Sequence, residues 1–155
     1  MSVKVAINGF GRIGRNILRA SIENNREDIE VVAINDLGSP EMNLHLLKYD
    51  SVHGRFPLEL SLHKNYLKVN NAEIEITAER DPAKLPWSEV DVALECTGIF
   101  TNKDKASLHL KNGSKKVLIS APGGNVDRTV VFGVNHKLLT SNDVIVSNAS
   151  CTTNC

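Results

Sequence analysis

The apolar positions at the start of the chain follow two different periods in turn. Residues 3–8 (VKVAIN) form a short apolar run that ends in glycines, and the apolar positions of residues 14–22 then recur at helical spacing. Residues 29–35 (IEVVAIN) form a second apolar run, rich in β-branched side chains, that ends at Asp36. This order of strand, turn, helix and strand predicts a βαβ unit that is complete by residue 36.

The pattern changes in the middle of the chain. Residues 40–49 are predicted to form a second helix, because proline is tolerated at the first helical position and Pro40 stands there. Residues 58–63 and 66–70 then alternate loosely between apolar and polar, and residues 73–78 alternate cleanly. Alternation of this kind predicts antiparallel strands, inserted into an otherwise parallel pattern.

The second half of the chain returns to strands and a helix in alternation. Further strands are predicted at 90–96, 116–120, 130–134 and 144–147, with a helix over 102–111 that stops at Asn112 and Gly113. Strands that alternate with helices indicate an α/β fold. We therefore expect a Rossmann-type, doubly wound, mostly parallel sheet with an inserted antiparallel excursion.

Composition narrows the class of protein. The 155 residues suit one domain, and 41% hydrophobic with 23% charged residues is typical of a globular chain. The 18 basic and 18 acidic residues cancel, so no bulk charge attracts nucleic acid or an anionic membrane surface. No apolar run approaches the ~20 residues of a membrane helix, and the first residues lack a signal sequence. A cytoplasmic location without membrane or nucleic-acid partners is expected.

A glycine motif lies between the first strand and the first helix. The spacing GxGxxG is met by Gly9, Phe10, Gly11, Arg12, Ile13 and Gly14. The spacing alone is a weak signal, but its place after a strand, with Asp36 ending the second strand, is typical of a dinucleotide site. A strand-to-helix turn without a ligand is the alternative.

Each residue type has a separate purpose in such a site. Gly9 permits the tight turn, Gly11 lets the backbone approach a pyrophosphate, and Gly14 lets the helix pack close to the strand. Free N–H groups and the helix dipole then hold the phosphates. A carboxylate at Asp36 accepts hydrogen bonds from ribose hydroxyls and repels a 2′-phosphate, which favours NAD over NADP. Arg12 either reaches a phosphate or is a surface residue, and spacing does not decide between the two.

The three cysteines are either small buried hydrophobic residues or include a thiol with a chemical role. Cys96, Cys151 and Cys155 form no CxxC pair and no zinc-ligand spacing, so no metal site is expected, and their odd number argues against a disulfide framework. Ser150 is a good N-cap, which makes Cys151 the first residue of a helix. The partial positive charge there favours the thiolate and hence a nucleophile. Cys155 is expected to be structural.

Two hydroxyl residues flank Cys151. Ser150 and Thr152 either hold an anion beside the reacting carbon or simply cap the first turn of the helix.

Several segments together resemble phosphorylating glyceraldehyde-3-phosphate dehydrogenases over the whole chain. They are INGFGRIGR at 7–15, the VAIND segment that ends at Asp36, HLLKYDSVHGRF at 45–56, ERDPAKLPW at 79–87, ECTGIF at 95–100 and SNASCTTNC at 147–155. The last of these is the most specific. The resemblance implies the Rossmann-type domain over residues 1–150 and the start of a catalytic helix at 151–155, with the catalytic domain absent from this chain.

The resemblance also implies roles for individual residues. Cys151 matches the nucleophile, and Ser150 and Thr152 match the site of the attacking phosphate. Asn35 and Arg80 match residues around adenosine, and the dinucleotide path is matched by Thr97, Gly98 and Ser120. The general-base histidine of the family has no match among the five histidines, and His53 is expected to be a loop residue.

The activity implied is NAD-dependent oxidation of glyceraldehyde 3-phosphate with inorganic phosphate, by a glycolytic homotetramer. The chain by itself is expected to bind NAD without turnover. The alternatives are erythrose-4-phosphate dehydrogenase, which differs in whether phosphate or water cleaves the thioester, and a non-catalytic NAD-binding module. Leu37, where some NADP-using relatives carry a small hydroxyl residue, supports the preference for NAD.

Overall fold

The computed structural model describes residues 2–155 and contains one large sheet with helices on both faces. The strands of the large sheet are β1 (Val3–Asn8), β2 (Ile29–Asn35), β5 (Leu60–His63), β6 (Tyr66–Val69), β7 (Ala72–Thr77), β8 (Val92–Glu95), β9 (Lys116–Ile119), β10 (Arg128–Thr129) and β11 (Ile145–Ser147). The short strands β3 (Tyr49–Asp50) and β4 (Gly54–Arg55) form a separate antiparallel pair. The helices are α1 (Arg12–Glu23), α2 (Pro40–Lys48), α3 (Lys103–Ala106), α4 (Leu108–Lys111) and α5 (Cys151–Asn154), with 3₁₀ turns at Pro82–Lys84 and His136–Leu138.

The strand order is β10-β11-β9-β8-β1-β2-β7-β6-β5, and all neighbours from β10 to β7 are parallel. The chain leaves β1 toward β2 on one side and returns to β8 on the other side. The order therefore reverses between β1 and β8, and in open α/β sheets ligands bind in the crevice at the carboxyl ends of such strands. The doubly wound, mostly parallel fold expected from the sequence is confirmed.

The antiparallel excursion is also confirmed. Strands β5, β6 and β7 form a meander at one edge of the sheet, and β7 then joins β2 in parallel. Asn70 lies in the turn between β6 and β7 with φ +51°, a left-handed conformation that asparagine tolerates better than most residues.

The alternation of side chains along β1 explains why both faces of the sheet are covered. Ile7 points to one face, where it packs with Phe10, Leu18 and Ile34 beneath α1 and α2. Its neighbour Ala6 points to the opposite face. The small side chains of Ala6, Ala33 and Ala93 leave room there for the fully buried Trp87. No helix among residues 2–155 has both the length and the apolar character needed to cross a membrane.

Two predictions about the second half were wrong in detail. The predicted strand at 130–134 is a loop, and the short strand β10 precedes it. The side chain of Asn135 accepts a hydrogen bond from the N–H of Val131 (2.7 Å), and the N–H of Val134 bonds to the carbonyl of Val131, so the backbone turns back on itself. These local bonds compete successfully with the sheet ladder.

The predicted helix over 102–111 is interrupted at Ser107, between α3 and α4. The hydroxyl of Ser107 donates to the carbonyl of Asp104 (2.6 Å), and the N–H of Leu110 bonds to Ser107 three residues back. A serine hydroxyl that bonds to the preceding turn bends a helix. The predicted stop is confirmed, since Gly113 adopts φ +104° directly after it.

Asp127 connects the last strands to α3. Its carboxylate forms an ion pair with Lys103 and accepts the N–H groups of Val144 (2.9 Å) and Ile145 (2.8 Å). Its hydrogen bond with Lys103, followed by that with the Ile145 N–H, lowers the pKa of the carboxyl from 3.8 to about 2.

We expect Asp127→Asn to lower the free energy of unfolding at neutral pH by about 1.5 kcal/mol, because bonds to a charged group are lost. A carboxylate with a depressed folded pKa stabilises above its unfolded pKa, and this contribution disappears as pH falls through the folded value. The difference between wild type and variant should therefore shrink between pH 4 and pH 2 in chemical denaturation. Asp104→Asn, at an exposed carboxylate on α3, is the control. A difference that does not change with pH would contradict this account.

Candidate dinucleotide and cysteine site

A cleft of about 360 Å³ opens at the carboxyl ends of β1, β2 and β8. We call it the first cleft. Its lining includes Gly9, Gly11, Asn35, Asp36, Arg80 and Thr97, all of them singled out in the sequence. The register of the sheet brings them together, because Asn8 pairs with both Asn35 and Glu95, so the three strands end at one level.

The three glycines of the motif have different surroundings. Gly9 adopts φ +94°, and a Cβ on it would lie 2.8 Å from the backbone of Cys96 and Thr97. A Cβ on Gly14 would lie 2.2 Å from the carbonyl oxygen of Gly9, so α1 packs directly on the turn. A Cβ on Gly11 would meet nothing within 4 Å. Gly11 therefore faces open space in the first cleft, as the close approach of a pyrophosphate requires.

The N-terminus of α1 is suited to an anion. Gly11 is the N-cap, and within residues 2–155 no side chain caps this end and no acidic residue occupies the first turn. The N–H groups and the positive end of the dipole of a 12-residue helix are thus available to a ligand. The residues at this end of α1 fit the pyrophosphate group of a dinucleotide.

Asp36 is held in place by the loops around it. One carboxylate oxygen accepts the N–H of Phe10 (2.8 Å), and the other accepts the N–H of Gly38 (2.8 Å). A carboxylate oxygen can accept more than one hydrogen bond, so Asp36 retains acceptor capacity toward the first cleft that it lines. Phe10 itself is buried, so only its backbone belongs to the site.

Arg12 forms an ion pair with Asp50. Its guanidinium bonds to the carboxylate of Asp50, which also accepts the N–H groups of His53 (2.8 Å) and Val52 (2.9 Å). These two backbone bonds, with a smaller effect of Arg12, hold the pKa of Asp50 well below its usual range. His53 lies in the turn between β3 and β4, consistent with its assignment as a loop residue.

The remaining cofactor candidates differ in their exposure to solvent. Arg80 is exposed at the rim of the first cleft, whereas the amide of Asn35 is buried and bonded to protein groups. Thr97 and Gly98 form the turn after β8, with Gly98 at φ +74°. Ser120 follows β9 and lies in a neighbouring cleft.

That neighbouring cleft, of about 330 Å³, we call the second cleft. Its lining includes Ile13, Cys96, Ser120, Asn148, Ser150 and Cys151. Cys96 lines both clefts, so they adjoin at the end of β8. Cys151 therefore lies in a cleft that adjoins the cleft lined by Asp36.

The segment before Cys151 is held in a tight conformation. Ala149 adopts φ +59°, which costs a non-glycine residue about 1 kcal/mol, and its N–H bonds to the hydroxyl of Ser147 (3.0 Å). Ser150 caps α5 by accepting the N–H of Thr153 (2.9 Å), and its hydroxyl also contacts that of Thr152 (3.1 Å). Ser150 thus caps the helix, and Cys151 is the first helical residue as expected.

The cysteines differ in their environment. Burial raises the pKa of the Cys96 thiol to about 11, with a partly opposing hydrogen bond from Ser120. Cys151 and Cys155 are exposed. A thiolate is the reactive form, so Cys96 is unsuited to act as the nucleophile although it lines both clefts.

Sequence reasoning missed a set of buried polar side chains beneath the first cleft. Asn8, Glu95 and His109 are at most 2% exposed. The sequence did contain a signal for them, because Glu95 ends the apolar run 92–95. A glutamate buried in such a strand requires hydrogen-bond partners.

The reversed strand order, the open Gly11 face and the uncapped end of α1 define a dinucleotide-binding protein of the Rossmann type. The family model for the glyceraldehyde 3-phosphate dehydrogenase NAD binding domain matches residues 3–103. The chain belongs to the glyceraldehyde-3-phosphate dehydrogenase family, and its cofactor is NAD.

The curated relatives with this name match the chain over its whole length. Glyceraldehyde-3-phosphate dehydrogenase of Cereibacter sphaeroides is 62% identical over 155 residues, which are 100% of this chain and 46% of the relative. The enzymes of Xanthobacter flavus and Geobacillus stearothermophilus are 63% and 56% identical, again over 100% of this chain and 47% of each relative. The chain thus spans about half the length of these relatives.

The surroundings of the glycines predict that one alanine substitution lowers stability and another lowers NAD affinity. Gly14→Ala should destabilise the fold by about 3 kcal/mol, because its methyl group overlaps the Gly9 carbonyl. Gly11→Ala should change stability by less than about 1 kcal/mol but weaken NAD binding at least about tenfold, because its methyl group enters the first cleft. Thermal unfolding and calorimetric titration separate the two effects. Unchanged NAD affinity in a folded Gly11→Ala chain would contradict the assignment of the cleft.

Proposed function

We propose that the chain is the NAD-binding half of a phosphorylating glyceraldehyde-3-phosphate dehydrogenase, with Cys151 as the catalytic nucleophile. The supporting observation is the position of Cys151 in the second cleft, which adjoins the first cleft at Cys96. A cofactor whose adenosine part occupies the first cleft has room to extend toward this thiol.

The chemistry proposed for Cys151 is covalent catalysis. Its thiolate attacks the aldehyde carbon of glyceraldehyde 3-phosphate and forms a thiohemiacetal. NAD, when bound, would be the oxidant that accepts a hydride from this carbon. Cys151 then carries the acyl group as a thioester, and inorganic phosphate cleaves the carbon–sulfur bond to give 1,3-bisphosphoglycerate and the free thiolate.

The other residues are assigned to binding. Asp36 receives the ribose hydroxyls of the adenosine part, with Asn35 and Arg80 around the base. The phosphates lie against the glycine loop at residues 9–14. The path to the second cleft is lined by Thr97, Gly98 and Ser120. Ser150 and Thr152 hold the attacking phosphate, and their hydroxyls lie on the same turn as Cys151.

We further propose a place for each part of this chain in a full-length enzyme. Residues 1–150 form the NAD-binding domain, residues 151–155 begin the catalytic helix, and the other half of the relatives' length supplies the general base and the substrate-binding residues. We place this enzyme in glycolysis in the cytoplasm as a homotetramer. Without that half, the chain binds NAD and does not turn over.

Cofactor selectivity tests the first cleft. We expect NAD and ADP-ribose to bind the chain with similar affinity, because the adenosine and phosphate contacts lie within it. NADP should bind at least about tenfold more weakly, because its 2′-phosphate brings negative charge to the Asp36 carboxylate. Calorimetric titration measures all three. Equal affinity for NAD and NADP would refute the role of Asp36.

The two exposed cysteines provide a matched test of the nucleophile. In a full-length enzyme that contains this chain, Cys151→Ser should lower kcat at least about 10⁴-fold, because the hydroxyl is a poor nucleophile and leaving group. Cys155→Ser, one helical turn later, should retain most of the activity. Phosphate-dependent NADH formation is the measurement, with glyceraldehyde 3-phosphate and erythrose 4-phosphate as competing substrates. Comparable losses in both variants would remove Cys151 from its assigned role.

A further inference from the structure

A continuous chain of buried polar side chains runs beneath the first cleft. Asn35, Asn8 and Glu95 are the last residues of β2, β1 and β8, and they are neighbours in the sheet register. His109 of α4 completes the chain. All four side chains are at most 4% exposed, so their polar atoms need hydrogen-bond partners within the protein.

One backbone donor fixes the direction of the whole chain. The N–H of Glu79 can only donate, and it bonds to Oδ1 of Asn35 (2.8 Å). Nδ2 of Asn35 therefore donates to Oδ1 of Asn8 (2.8 Å). Nδ2 of Asn8 in turn donates to Oε2 of Glu95 (2.7 Å). The amide orientation of both asparagines follows from this order.

Four groups are hydrogen-bonded to the Glu95 carboxyl. Besides Asn8, the Nε2 atom of His109 lies 2.8 Å from Oε2. The other oxygen, Oε1, accepts the N–H of Thr97 (2.9 Å) and its hydroxyl. Four hydrogen bonds fill the acceptor sites of an ionised carboxylate. The ring of His109 is itself held by Trp87, on which it stacks at 5.6 Å with an interplanar angle of 9°.

The two bonds to Thr97 determine where the turn after β8 lies. The hydroxyl of Thr97 also accepts the N–H of Ile99 (3.1 Å), so Glu95 and Ile99 together fix its orientation. The backbone of Cys96 and Thr97 contacts the glycine turn so closely that a Cβ on Gly9 would lie 2.8 Å away. A shift of Thr97 therefore changes the width of the first cleft.

We propose that Glu95, anchored by Asn8 and His109, is a positioning residue for NAD that acts through Thr97. The inference rests on the binding of NAD in the first cleft. Glu95 lies beneath the cleft and is 1% exposed. Its contribution to binding is to hold the Thr97 turn against the glycine turn before the cofactor arrives, so that little ordering is needed on binding.

Glu95→Gln tests this with little change of shape. The new amide can accept from Thr97 with its oxygen, but its NH₂ group then faces the NH₂ group of Asn8, whose orientation is fixed. We expect NAD and ADP-ribose to bind about tenfold more weakly, measured by calorimetric titration of the folded chain. Val69→Ala, in the buried core on β6, is the control for a general loss of stability. It should lower the melting temperature and leave both affinities within twofold.

Substitutions at Thr97 show whether Glu95 acts through it. Thr97→Val removes the hydroxyl at nearly constant shape and should weaken NAD binding about fivefold, and Thr97→Ser should restore it to within twofold of wild type. If Glu95 acts through Thr97, the double variant Glu95→Gln with Thr97→Val binds no more weakly than the poorer single variant. Independent, multiplying effects would overturn the inference.

The remaining outcomes are also decisive. Wild-type affinity in a folded Glu95→Gln chain would overturn the positioning role and leave the NAD site intact. If Glu95→Gln does not fold, the two Thr97 variants provide the test. Wild-type NAD affinity in Thr97→Val would then exclude an effect of Glu95 through Thr97. Failure of the wild-type chain to bind either NAD or ADP-ribose would refute the binding site itself and the positioning role with it.

Discussion

The contact between helix α1 and the turn after β1 is the constraint on which the rest of the site depends. Gly14 lies so close to the carbonyl of Gly9 that no side chain fits between them. This proximity brings the N-terminus of α1 to the carboxyl end of β1. The backbone at Gly9 also contacts Cys96 and Thr97. Gly9 therefore lies between α1 and the turn after β8, both of which contribute to the first cleft.

Buried polar side chains beneath the first cleft also hold the strand ends together. The strands β1, β2 and β8 each end in a polar residue at the same level, and the hydrogen bonds of Asn8 join the three ends. An unpaired amide or carboxylate would be costly at this depth, so the three ends are stable only in register. The polar chain therefore favours the strand alignment that creates the crevice.

The second cleft has different requirements. Cys96 lies where the two clefts adjoin, but burial keeps its thiol protonated. Cys151 is exposed at the start of α5, after a residue in a left-handed conformation. The strain at Ala149 is of the kind that collects at functional sites, where the surrounding structure holds a segment in an unfavourable conformation. Of these two cysteines, Cys151 therefore exposes its thiol in the second cleft, whereas the thiol of Cys96 stays protonated.

Much of the fold and of the site could be predicted from local patterns. The bounds of β1 and β2, the antiparallel excursion, the N-cap at Ser150 and the glycine motif all follow from short-range sequence, because they depend on periodicity and on single residues with special geometry. The loop at 130–134 and the break at Ser107 could not be predicted in this way. Hydrogen bonds from side chains to nearby backbone outweigh the apolar pattern at both places.

Local sequence patterns were enough to predict the class of fold, the family and several of the residues that line the two clefts. The contacts that those residues make depend on the assembled fold. It paired Arg12 with Asp50, held Asp36 by the N–H of Phe10, and joined Glu95 to His109. The physical reason is distance along the chain: Asn8 and Glu95 are 87 residues apart, and their hydrogen bond exists only because the sheet places β8 beside β1.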